Sequence, residues 1–112
     1  MHLIANTVVA LCSDPAQLAF ARAKNAWEQV VEEALRSRGS VLSVMFRYPL
    51  RDVRLGEVTV GAGRPIMVGL CSAGTDRDRF GGEAGRFDTM RELAAHLGFG
   101  AEGPVTLPVL LR

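Results

Sequence analysis

This 112-residue sequence predicts an α+β fold, and three observations predict it. Helical periodicity and helix-capping residues occupy positions 1–39. Short β-branched runs bounded by glycine follow from position 40. The order is helices first and small strands second, so the chain does not alternate in the βαβ manner of a parallel sheet. The expectation is one domain, 1–112, with a helical part at 1–39 and a strand and meander part at 40–112. N-terminal helices lead into small β-hairpins, an irregular meander and a short C-terminal helix.

Each element has a local reason. Leu3 to Leu11 is apolar almost all round, which predicts a buried helix or the tail of one. "SDPAQ" supplies a helix start, with Asp14 as N-cap, Pro15 at the first helical position and Gln17 three residues after the cap. That helix should run to about Lys24. Asn25 with Glu28 repeats the box and predicts a further helix to about Arg38, ended by Gly39. On it, Trp27, Val30, Val31, Ala34 and Leu35 share one face.

"SVLSVMF", "DVRLG", "EVTVG" and "RPIMVGLCSA" read as strands. Gly56 marks a hairpin between 53–55 and 58–60, and Gly61 to Gly63 a further turn. "GTDRDRFGGEAG" reads as a charged loop without periodicity. Asp88 is placed to cap a last helix carrying Met90, Leu93, Ala94 and Leu97, and "GPVTLPVLLR" reads as irregular or an edge strand.

Composition narrows the function classes. Thirteen basic residues against 12 acidic ones, scattered along the chain, lack the clustered basic excess of a nucleic-acid binder. Cys12 and Cys71 lie in apolar surroundings without ligand-like spacing, so neither a disulfide staple nor a zinc site is expected. The first ten or so residues are too short an apolar run to span a bilayer and lack the features of a signal peptide. The expected compartment is the cytoplasm. With 48% hydrophobic residues the chain has apolar material beyond its own core. A second copy, most simply a homodimer, or a partner protein is expected to cover it.

"HLGFGAEGPVTLP" contains Gly98-x-Gly100-x-x-Gly103, the spacing of a dinucleotide-binding turn. Such a turn needs a strand before it and a helix after it. Here a helical pattern precedes the glycines and Pro104 follows them, which argues against a phosphate cradle.

Taken in order, several segments resemble the C-terminal half of a bacterial cytochrome P450. "NTVVALCSDPAQLAFARA" resembles the end of the family's long helix and the next one, and "VVEEALR" its E-x-x-R helix, with Glu33 and Arg36 in the motif positions. "FRYPLRDVRLGEVTVGAGRPIMVGLCSAGTDRDRF" resembles its strand region. "GRFD" at Gly85 to Asp88 resembles the meander, and "HLGFG" the approach to the heme-ligand loop. On its own the i, i+3 pair Glu33–Arg36 also fits ordinary helix-surface pairing. The resemblance implies instead a buried structural triad of Glu33, Arg36 and Arg86. It also places Arg47 and His96 where the family holds heme propionates, although a strand-edge charge and a helix-end histidine are the favoured account of them.

The same resemblance exposes what is missing. The cysteine that ligates iron would fall at Thr106, or at Leu107 with one extra loop residue, and neither supplies a thiolate. The resemblance covers a scaffold truncated at both ends. The expected function is therefore that of a heme-less P450-like binding or accessory protein without cofactor or metal, in bacterial secondary metabolism, where heme-less relatives of the family assist tailoring enzymes. A hydrophobic small molecule is a further candidate ligand, and neither nucleic acid nor membrane is expected. One alternative is a small non-redox enzyme (cyclase, dehydratase or isomerase). His96 and Glu92 are its candidate acid/base residues, and Asp76 and Asp88 read as a solvated charge and an N-cap. Another is one half of a split heme monooxygenase.

Overall fold

A computed structural model describes residues 2–92 and 96–98. Three helices lead: α1 (His2–Ser13), α2 (Pro15–Lys24) and α3 (Trp27–Arg38). They meet around a small core of Leu11, Ala21, Val30 and Ala34, closed from the far side by Phe87. Alanine at two of these positions lets the helix backbones approach closely, so few large side chains are needed to fill the centre.

The start of α2 follows the sequence reading. Asp14 is extended and its Oδ1 accepts from Ala16 N, with Pro15 in the first turn. Gln17 does something else. Its side chain is buried, and Oε1 accepts from both the backbone N–H and the hydroxyl of Thr89, at 2.7 and 2.6 Å. It ties α2 to the meander rather than completing a capping box. Asn25 also changes role: it ends α2 in the left-handed conformation at φ 50° instead of opening α3. Asparagine tolerates that region because its short polar side chain bonds locally. The N-cap of α3 is Ala26, which makes no side-chain cap bond.

Helix α1 departs most from expectation. Only Leu11 is buried, whereas Ile4, Val8 and Val9 are 75%, 53% and 64% exposed. The apolar face predicted for α3 is likewise split, with Val30, Ala34 and Leu35 buried and Trp27 and Val31 largely exposed.

The strand region is sparser than its β-branched sequence suggests. β1 (Val53–Leu55) and β2 (Val58–Val60) form the predicted antiparallel hairpin, with Val53 opposite Val60 and Leu55 opposite Val58. Gly56, at φ 59°, opens its two-residue turn, which demands a positive φ there. Segments 43–47 and 66–69 touch only at the bridges Ser43–Gly69 and Arg47–Ile66. Four steps on one side face three on the other, so a bulge interrupts the ladder.

"LCSAG" is a correction: Leu70–Gly74 is a short helix, α4, and Cys71 therefore lies on a helix rather than a strand. A second short helix, α5 (Arg77–Phe80), stands in the charged stretch read as a loop, capped by Asp76, whose Oδ1 accepts from Asp78 N. Turns follow through residues 81–92. Asp88 closes a local turn by accepting from Met90 N at 3.0 Å, and no helix begins there among the described residues. Residues 93–95 of the expected C-terminal helix and the tail from 99 onward, including Gly100, Gly103, Thr106 and Leu107, lie outside the described residues. No single helix among them is long and apolar enough to cross a membrane.

Candidate functional site

The densest chemistry gathers on the inner face of α3. Helical spacing puts Glu33 and Arg36 one turn apart, and both are buried, at 6% and 3% exposure. Their fork is two-pronged: Arg36 Nε donates to Glu33 Oε2 at 2.8 Å and Nη2 to Oε1 at 2.6 Å. A buried ion pair is tolerated only when its remaining donors and acceptors are satisfied. Here they are. Arg36 donates further to the carbonyls of Gly74, Ala84 and Arg86, and its guanidinium lies over the Phe80 ring, 5.0 Å from the centroid. Glu33 Oε1 also accepts from Asp88 N at 2.9 Å. One side-chain pair thus joins α3, α4 and the meander. Gly74 passes so close that a Cβ there would collide with the Arg36 carbonyl.

Of the triad implied by the resemblance, the geometry brings Glu33 and Arg36 together and places Arg86 differently. The Arg86 guanidinium is largely exposed and lies 3.9 Å from Asp14. Only its carbonyl joins the buried centre. Its neighbour Phe87 turns into the core, which leaves the Arg86 side chain facing outward. The second guanidinium beside Glu33 belongs to Arg91, with Nε 3.6 Å from Oε1 and its Nη groups on the carbonyls of Phe80 and Glu83. Sequence reasoning missed Arg91. The signal was present in "RFDTMR", which offers two arginines to one carboxylate, and only the turn at 86–89 decides between them.

His96 is nearly buried and held from both sides. Its Nδ1 accepts from Gly98 N at 3.0 Å, which places the proton on Nε2, and Nε2 donates to Glu32 Oε2 at 2.7 Å. Both ring nitrogens are therefore engaged. Glu92, the proposed acid/base companion, is exposed, and the carboxylate on His96 is Glu32 instead. Arg47 is exposed and contributes its backbone to the pairing with Ile66, at 2.8 and 2.7 Å. Asp76 and Asp88 are engaged in local caps. None of these carboxylates stands beside a free imidazole nitrogen.

Comparison with known proteins gives the class. No protein-family model matches the chain. Cytochrome P450 monooxygenase PikC of Streptomyces venezuelae is 41% identical over 101 residues, covering 89% of this chain and 24% of that protein. Cyclomarin C epoxidase CymV of Salinispora arenicola is 36% identical over 99 residues, covering 88% and 25%. The solved structure of CYP154A1 from Streptomyces coelicolor A3(2) matches with a TM-score of 0.82 at 34% identity, over 88% of this chain and 25% of that one. The chain thus resembles bacterial cytochrome P450s in sequence and in fold. It spans about a quarter of the length of the curated relatives it matches.

The family implies a heme, and the described residues do not fit one. Glu32 already takes the only N–H that His96 could offer a propionate, and it sets a second carboxylate at that spot. Cys12 is exposed on α1, and the Cys71 thiol sits 3.9 Å from the Gly39 and Val41 carbonyls. Among the described residues, no three of His, Cys, Asp and Glu converge as a metal-binding group. The ion-pair centre can lock packing; it presents no group to a reacting substrate.

Proposed function

We propose that this chain is a P450-like binding or accessory protein that carries out no heme oxygenation of its own, acting in the cytoplasm in bacterial secondary metabolism. One observation carries the reading. Scaffold elements resembling the family's are present, Glu33 and Arg36 above all, while the resemblance sets the position of the ligand cysteine at Thr106 or Leu107. Loss of the axial thiolate removes the means by which such a protein activates oxygen. The setting is supported by relatives named for work on elaborate products, such as cyclomarin C epoxidase. The engaged state of both His96 nitrogens speaks against a small acid/base enzyme, since a general base needs a free lone pair within reach of its proton.

Purified chain, scanned in the visible range with and without added hemin and sized in parallel, tests this reading. The expected result is no thiolate-heme spectrum after reduction under carbon monoxide, together with a species larger than a monomer. A stoichiometric thiolate-heme spectrum from the chain alone would overturn it. The chain's short span relative to its monooxygenase relatives keeps one second reading in view, a split heme protein whose partner brings the cysteine. It predicts that spectrum only on co-expression with such a partner.

A further inference from the structure

A groove of about 380 Å³ runs between the C-terminal half of α1, the end of α3 and the meander. Val9, Ala10 and Phe87 form its apolar walls, and Arg38, Arg86 and Asp14 its charged ones. A concavity in this size range, with mostly apolar walls and a few convergent polar groups, has the form of a small-molecule site. Parts of the packed structure fix its shape. Phe87 is buried in the helical core, and Asn6 Nδ2 donates to the Arg38 carbonyl at 3.0 Å, clamping α1 to the end of α3.

The charges decide what fits. Two arginines and one aspartate line the groove, a surplus of one positive charge. Arg86 lies 3.9 Å from Asp14, beyond hydrogen-bond distance. Arg38 donates from Nη1 to the neighbouring Ser37 carbonyl at 3.0 Å. An arginine carries five N–H donors in a planar fork, so both retain donors for an incoming oxyanion. Paired N–H groups suit a carboxylate, which accepts two parallel bonds. A dianion would meet Asp14, and a cation would meet two arginines.

We propose that this groove binds a small monocarboxylate with a compact apolar, arylalkyl-type body. The carboxylate sits between Arg38 and Arg86, and the body lies against Val9, Ala10 and Phe87. The site goes beyond the accessory reading without resting on it, because it involves neither heme nor the Glu33–Arg36 centre.

The test titrates 4-phenylbutyrate into the full chain, labelled with nitrogen-15, and follows the backbone amides. Saturable shifts are expected at Val9, Ala10 and Phe87. Binding of 4-phenylbutanol should be at least ten-fold weaker, and 4-phenylbutylamine should not saturate. The double variant Arg38→Gln/Arg86→Gln should bind the acid at least ten-fold more weakly with an unchanged circular dichroism spectrum. Val9→Trp, which fills the apolar wall and leaves every charge in place, should weaken it comparably, and serves if the double variant fails to fold. Shifts that do not saturate, equal binding of acid, alcohol and amine, or unchanged affinity in Val9→Trp would each overturn the assignment.

Discussion

At the scale of single residues, the decisive difference lies between two arginines five positions apart. Arg91 stands 3.6 Å from a nearly buried carboxylate, whereas Arg86 pairs at 3.9 Å with a partly exposed one. Exposed pairs contribute about 0–1 kcal/mol, but removing one partner of a buried pair costs about 3–5 kcal/mol. Arg86→Ala should therefore move the urea unfolding free energy by less than about 1 kcal/mol. Arg36→Ala should cost about 3–5 kcal/mol, because it strands Glu33 and three carbonyls. Arg91→Ala should fall between them at about 1–3 kcal/mol, since Glu33 keeps Arg36 but the Phe80 and Glu83 carbonyls lose their donor. Equal effects of Arg86→Ala and Arg91→Ala would contradict this geometry. Helical spacing made the contact of Glu33 and Arg36 legible, and the family resemblance implied its burial. The third arginine was not legible, because a side chain in a turn points where the turn sends it, and neighbouring Phe87 claimed the inward direction.

At the scale of elements, helix starts were read better than the junctions between helices. Asp14 and Pro15 act within their own turn, so local sequence suffices to place them. Gln17 is drawn 72 residues along the chain to Thr89, a contact no local pattern reveals. Asn25 illustrates the same limit. Its sequence suited an N-cap, but the tight passage from α2 to α3 requires a left-handed residue at that point. That conformation costs an ordinary L-residue about 1–2 kcal/mol. Asn25→Ala should therefore lower the thermal midpoint, while Asn25→Gly should match or exceed the parent chain. An N-cap role predicts a different order: both substitutions would destabilise, with alanine the worse by a wider margin than at a C-terminal cap. Because alanine is worse in either case, the sign of the glycine variant is the measurement that separates them. The strands fell short of expectation for a related reason. "SVLSVMF" has the composition of a strand, yet a ladder needs a partner in register, and the bulge opposite 66–69 leaves only isolated bridges.

For the whole molecule, the question is where the remaining apolar surface goes. Leu50 is fully exposed, Met45 is 84% exposed, and Leu42 and Ile4 are at 70% and 75%. Scattered apolar residues are ordinary on a protein surface, but contiguous apolar patches mark interaction sites. Leu42, Met45 and Leu50 fall within one nine-residue stretch, alongside the half-exposed Phe46 and Tyr48. Burial is what makes a side chain contribute to folding, at about 25 cal/mol per Å² removed from water. Side chains this exposed add little to the stability of a single chain, so their replacement should separate folding from association. The triple variant Leu42→Gln, Met45→Gln, Leu50→Gln should keep the parent's helical circular dichroism. In the proposed self-associating chain, sedimentation at micromolar concentration should shift toward monomer in that variant, and the concentration dependence of the thermal midpoint should shrink with it. A triple variant that lost its helical signal would show that these side chains belong to the fold itself. One that folded and still associated as the parent does would move the interface elsewhere, with the exposed Ile4, Val8 and Val9 of α1 the next surface to substitute.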